Sequence, residues 1–196
     1  MNRAAWLIIG IVLLAGCAQY SKVDAGRVPI QNKLSVQSST SWNRLNTGLG
    51  GGSVDIWTAD GLPLDSITFV TGVASGQPIL KPNTSQGGTS EPYPVFDSEM
   101  SPSEIMELIE ATLAKSAQTS LFETRNLRPM QFGGVEGFRF DINYVRRSDE
   151  VDREGFVAGA VRDKQLYLII FSGTRLYHAR QLAPQAEEIV RSVQFL

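Results

Sequence analysis

The hydrophobic pattern along this chain changes period several times, and the changes mark its elements. Val54-Asp55-Ile56-Trp57-Thr58 alternates, with Val54 and Ile56 on one face and Asp55 and Trp57 on the other, as in a half-buried strand. Asp60-Gly61 follows as a tight-turn signal. Ile67 to Val73 is a second β run, with Ile67, Phe69 and Thr71 on a shared face. At Ser101 the period becomes helical. Ser101-Pro102-Ser103-Glu104 supplies a cap, a proline at the first position and a glutamate at the third, a capping box. Ile105, Leu108, Ile109, Thr112 and Leu113 then share one face, while Glu104, Glu107 and Glu110 face water.

From Phe122 the period returns to two. Segments Phe122 to Arg128, Val135 to Val145, Gly155 to Arg162 and Gln165 to Ser172 read as strands, the last three as a meander of antiparallel hairpins. Phe138, Phe140, Ile142 and Tyr144 alternate with Arg139, Asp141 and Asn143, so one face of that strand is buried. Leu166 to Phe171 is apolar at every position, as a strand covered on both sides should be. A helix closes the chain from Pro184 to Val193, with Ala186, Ile189, Val190 and Val193 as its apolar face. A shorter helical piece fits between Tyr177 and Leu182.

Polar stretches separate these elements. Ser21 to Thr40 mixes Ser, Gln, Asn, Lys and Asp with single apolar residues and no sustained period, which reads as a tether, with room for a short strand at Lys33 to Val36. The folded part is expected to begin near Ser41. Gly48 to Gly52 is a hairpin loop rather than a phosphate loop, because no Lys-Ser/Thr follows and no helix opens there. Lys81 to Pro94 is a long surface loop and a place to look for partner contact.

The chain starts with a basic Arg3, an apolar run through Leu14 and the small residues Ala15-Gly16, the make-up of a cleaved secretory signal. About ten strongly apolar residues are too few for a membrane span, which needs ~20. Leu14-Ala15-Gly16-Cys17 resembles the lipobox of bacterial lipoproteins. That resemblance implies diacylglyceryl and fatty acyl (palmitate-type) attachment at Cys17 and cleavage after Gly16. Ala rather than Asp at position 18 resembles outer-membrane-directed lipoproteins, implying an anchor in the outer membrane facing the periplasm. The organisation expected is a signal peptide over 1–16, a lipidated flexible tether over 17–40 and a single domain over 41–196.

An N-terminal β hairpin, a helix, a C-terminal β meander and a terminal helix specify an α+β domain with two helices packed on an antiparallel sheet. This order, over roughly Trp42 to Phe195, resembles the Mog1/PsbP-like fold, including the DcrB-type bacterial lipoproteins. Members of that fold serve mostly as binding or assembly factors, so the resemblance implies a class and no activity.

Composition and chemistry narrow the function classes. A formal charge of −2 is no footprint for nucleic acid. With Cys17 the only cysteine, an intrachain disulfide, a CxxC pair and a zinc-thiolate cluster are excluded. His178 is the only histidine, without a Gly-x-Ser-x-Gly elbow, and fits a surface or capping role; no metal or cofactor is expected. Asp149, Glu150, Asp152 and Glu154 cluster with Arg146, Arg147 and Arg153 in one hairpin loop, as a solvated, self-paired turn does. The aromatics near loops, Trp42, Tyr93 and Phe96, are the candidate partner contacts, against the plainer reading that they pack in the core.

The expectation is therefore a non-enzymatic envelope lipoprotein, bound to membrane lipid through Cys17, that binds or helps assemble an envelope protein. The alternative is a periplasmic carrier or sensor of a small apolar molecule held between sheet and helix. A cavity lined by Phe138, Phe140 or Ile169 favours the carrier; an exposed flat aromatic face favours assembly. A hydrolase stands third and would need carboxylates converging in a cleft.

Overall fold

The computed structural model describes residues 19–46, 53–80 and 92–196. Cys17 with its signal, the Gly48 to Gly52 run and most of the Lys81 to Pro94 loop lie outside them. Element order is β1 (Tyr20–Val23), β2 (Gly26–Ile30), β3 (Leu34–Ser38), β4 (Trp42–Leu45), β5 (Val54–Thr58), β6 (Asp65–Ala74), α1 (Pro102–Ala117), β7 (Phe122–Phe132), β8 (Val135–Val145), β9 (Asp152–Arg162), β10 (Gln165–Thr174), α2 (His178–Arg191) and β11 (Gln194–Phe195). Among the described residues, eight strands form one antiparallel sheet in the order β1-β4-β5-β6-β10-β9-β8-β7, and β2, β3 and β11 form a second, smaller one. The expected α+β class, with two helices on an antiparallel sheet, is what the chain builds.

Its two meanders join where β6 pairs with β10. That places the all-apolar β10 run centrally, and both its faces are used. Tyr167, Ile169 and Phe171 pack with Trp57, Phe69 and Phe156 toward α2, whereas Leu166, Leu168 and Ile170 pack with Phe138, Phe140 and Ile142 toward α1. A bulge adjusts β6 to this division. Leu166 pairs with Val73 but Leu168 with Val70, so Thr71 and Gly72 together oppose Tyr167. Gly72 takes φ +69°, a conformation glycine adopts at little cost, and Val70 and Val73 thereby both face α1.

The capping box forms as the sequence implies: Ser101 Oγ accepts from Glu104 N at 3.4 Å and Ser101 N donates to Glu104 Oε2 at 2.7 Å. Helix α1 ends at a left-handed Gln118 and buries Ile105, Leu108, Ile109 and Thr112. Helix α2 differs from expectation, being one helix from His178 with Pro184 inside it rather than at its start. Pro184 is exposed, so the Arg180 carbonyl that loses its helical N–H lies on the wet side, where water can serve it.

The stretch read as a tether is structured. Residues 20–38 form β1, β2 and β3, and Val23, Ile30, Leu34 and Val36 are buried in the core beneath α2. The physical reason is reach: each short strand contributes one or two apolar residues to a surface built by distant segments. Gln37 N donates to Ser192 Oγ at 2.7 Å, Ser39 Oγ donates to Glu188 Oε2 at 2.5 Å, and β11 pairs with β3, so this stretch closes onto the end of the chain. No helix among the described residues is long and apolar enough to cross a membrane.

Candidate functional site

Helix α1 is narrower than the sheet face it covers. It packs on β7 and β8, leaving the neighbouring stretch of β10, β6 and β5 to be covered in part by Ile79, Leu80 and Phe96. Between the helix and that stretch opens a cleft of about 440 Å³. Its size falls within the ~300–1,000 Å³ of small-molecule sites.

Strand register sets the chemistry of the floor. Ile56, Thr68 and Ile170 lie side by side on β5, β6 and β10, with Val54 farther along. The next row toward the β10–α2 end pairs Ser66 with Ser172, and from β8 the Tyr144 hydroxyl reaches Ser172 Oγ at 2.8 Å. Tyr144 is held upright by stacking on Phe122, centroids 5.0 Å apart. Leu113, Ser116 and Ala117 of α1 form one wall, and Leu80 and Tyr93 another. Arg146, just past β8, is the one charged side chain among the described lining residues.

Arg146 belongs to the charged hairpin loop, in which Arg153 and Asp149 pair with each other. Arg153 is buried and donates to both Asp149 oxygens, at 2.9 and 2.6 Å, and to the carbonyls of Val151 and Pro63. The Arg153 hydrogen bonds hold the Asp149 carboxyl down to about 2, aided by the Val151 amide and by Arg146. Arg175 pairs with Asp152 at 2.6 Å. At 3.9 Å, the Arg146 contact to Asp149 is the loosest of the set.

The residues nominated from sequence scatter. Trp42 is buried in the core, its Nε1 donating to Ser38 Oγ at 3.0 Å, and Phe96 is fully buried; neither offers a face to a partner. Trp42 joins the cluster toward α2 and Phe96 the cluster toward α1, each completed by remote segments that local sequence does not reveal. Tyr93 alone lines the cleft, half-buried, with the Lys115 ammonium 5.4 Å from its ring centroid. Cys17 is outside the described residues. The cavity-lining set expected from sequence is displaced by one strand position: Ile142 and Ile170 line the cleft, while Ile169 faces α2. Phe140 is buried beneath α1, and Phe138 lines a more open depression of about 520 Å³ at the other end of that helix, with Met100, Pro102 and Leu127.

His178 opens α2, its Nδ1 2.8 Å from Thr174 Oγ1 and its Nε2 3.6 Å from Asp60 Oδ2, which ties the β5–β6 turn to the start of the helix. None of the three lines the cleft. Among the described residues no three His, Cys, Asp or Glu side chains are grouped to hold a metal. The cleft residues sequence reading passed over did carry a signal. Tyr144 and Ser172 are hydroxyl side chains at inward positions of strands whose other inward residues are apolar.

No protein-family model matches the chain, and no curated protein matches it in sequence. Among solved structures it is similar to the cyanobacterial PsbP protein CyanoP from Synechocystis, with a TM-score of 0.52 and 11% identity over 93% of this chain and 95% of that one. At that identity the likeness establishes the PsbP-like fold and nothing about activity. The LpqN protein of Mycobacterium tuberculosis, described as involved in cell envelope biogenesis, aligns over 90% of this chain and 84% of its own at 10% identity, with a TM-score of 0.38.

Proposed function

We propose that this chain is a non-enzymatic binding protein of the bacterial envelope, anchored through acylated Cys17, that holds a small apolar molecule between its sheet and α1. The observation that carries this reading is the cleft of about 440 Å³, whose lining is mostly apolar, with hydroxyl side chains and Arg146 as its polar groups. Burial of Trp42 and Phe96 removes the aromatic surface that would have favoured protein assembly. The anchor rests on the lipobox-like Leu14-Ala15-Gly16-Cys17, and Ala18 supports the outer membrane, periplasmic side.

The test is organic extraction and mass spectrometry of the chain purified from cells, alongside Leu113→Trp and Ser116→Trp, which fill the cleft from α1. A co-purifying apolar molecule, lost from both variants while each stays folded, supports the reading. An empty protein whose melting temperature is indifferent to added aliphatic compounds overturns it.

One observation favours the assembly reading. Leu176, 90% exposed, and Tyr177 stand with Leu64 and Val151 where three loops meet at one end of the sheet, joined by Thr174 N to Leu64 O at 2.9 Å and Arg175 N to Asp152 O at 3.0 Å. In-cell crosslinking that yields one dominant envelope protein, lost in Leu176→Ser and in the Cys17→Ser chain, would support it.

A further inference from the structure

The cleft has a direction. At the end nearest the β10–α2 loop it presents Arg146, the Tyr144 hydroxyl bonded to Ser172, and Ser66; one strand position on it presents Ile56 and Ile170, and beyond them Val54. The charge and most of the hydroxyls gather at the first end and hydrocarbon dominates the other, with the Thr68 side chain between Ile56 and Ile170. A uniformly apolar ligand would leave the polar end unused and a cationic one would meet Arg146. We infer that the cleft takes an amphiphile with one aliphatic chain and an anionic head, the head paired with Arg146 and the chain laid along Ile170 and Ile56 toward Val54. This inference rests on the cleft being the binding site.

The charges around Arg146 fit this assignment. Asp149, its acidic neighbour, has both oxygens taken by Arg153, and its contact to Arg146 is long at 3.9 Å. Arg147 N donates to the Ala117 carbonyl at 3.4 Å, which brings the last turn of α1, with its partial negative charge, to the rim. The N–H groups of Gln118 and Thr119 occupy the Lys115 and Ala114 carbonyls of that turn, which leaves fewer bare carbonyls at the rim. Among the described lining residues, Arg146 is thus the charge that a head group would meet. A guanidinium forms paired, charge-assisted hydrogen bonds with a carboxylate, which a hydroxyl head cannot match.

The experiment is calorimetric titration of residues 17–196 carrying Cys17→Ser, which include the whole folded domain, with dodecanoate, dodecanol and dodecyltrimethylammonium below their aggregation limits. Dodecanoate is expected to bind roughly tenfold tighter than dodecanol. Arg146→Gln should bring dodecanoate down to the level of dodecanol, Arg146→Lys should recover part of the difference, and Leu113→Trp or Ser116→Trp should abolish both. Equal binding of the three probes, blocked by the filled variants, would overturn the anionic head and leave the cleft reading standing. Binding unaffected by the filled variants, or none at all, would overturn both. Association only with anionic lipid vesicles, unchanged by Leu113→Trp, would mean a surface effect and also overturn the proposal.

Discussion

Asp149 grips the buried guanidinium of Arg153 with both carboxylate oxygens, at 2.9 and 2.6 Å, and Arg153 in turn reaches the Pro63 carbonyl on the β5–β6 loop at 2.6 Å. Removing the carboxylate leaves a cation without its counter-charge in a dry place. Asp149→Ala is therefore expected to destabilise the fold by about 3 kcal/mol, more than Asp152→Ala, which breaks only the exposed pair with Arg175, worth at most about 1 kcal/mol. Urea unfolding of the two single variants checks the ranking.

Acid dependence has a definite sign. Asp149 titrates at about 2 in the fold against an ordinary 3.8, so its contribution is fully present above 3.8 and is lost as pH falls toward 2. Asp149→Asn should flatten the stability profile in that window. Asp55 behaves oppositely. Burial raises its carboxyl despite the Arg44 guanidinium and the Trp57 N–H that favour the charged form, so its ionisation costs stability as pH rises through the raised value. Asp55→Asn, which keeps an acceptor for Trp57, should be neutral or slightly stabilising at pH 7, and its advantage should vanish below the ordinary range. Thermal melts of both variants from pH 2 to 7 distinguish these signs.

A chain beginning at Ser41 should fail to fold. It lacks Val23, Ile30, Leu34 and Val36, all buried against α2 and its neighbours. At roughly 2 kcal/mol each, the loss is on the order of 8 kcal/mol, comparable to the whole stability of an ordinary domain. Loss of near-ultraviolet dichroism and rapid proteolysis would be seen, whereas a native-like spectrum would show that the first three strands are dispensable.

Gly155→Ala should be among the most damaging single methyl additions. A Cβ at that position would fall on the Phe171 carbonyl oxygen, backbone that cannot swing aside. Separation of β9 from β10 would cost about 3 kcal/mol, read as a fall in the urea midpoint.

Cys17 should carry the anchor. Feeding cells an alkynyl fatty acid should label the wild-type chain and leave Cys17→Ser unlabelled and released from the membrane fraction; equal labelling of the two would refute acylation there.

Elements whose signals are local were legible in the sequence. The Ser101 box and the alternation from Phe138 to Tyr144 each sit within one element, and both appear in the fold. What was hidden depends on remote neighbours. Val23, Ile30, Leu34 and Val36 look isolated because the surface they complete is supplied by α2 and Trp57. Pro184 looks like a helix start because local rules cannot see that Ala179, buried one and a half turns earlier, already fixes the helix to the sheet. The cleft was hidden for the same reason: its floor joins β5, β6, β8 and β10, which meet only through the β6–β10 pairing. The charged loop was read as self-paired, which fits Arg153 and Asp149, while Arg146 was grouped with them because its place at the cleft is a matter of position and not composition.

The two margins of the large sheet are guarded differently. Strand β7 carries Pro129, Arg125 and Arg128 and a register break beside Asn126, each of which discourages another strand from docking. Strand β1 has only its four-residue length and the Lys22–Asp24 pair. It begins three residues after Cys17, a covalent reach of about 10 Å at ~3.5 Å per residue. An acylated Cys17 would thus moor β1 within about a nanometre of the headgroups, a gap of roughly two strand spacings, so that the bilayer itself would crowd the margin that the sequence leaves bare.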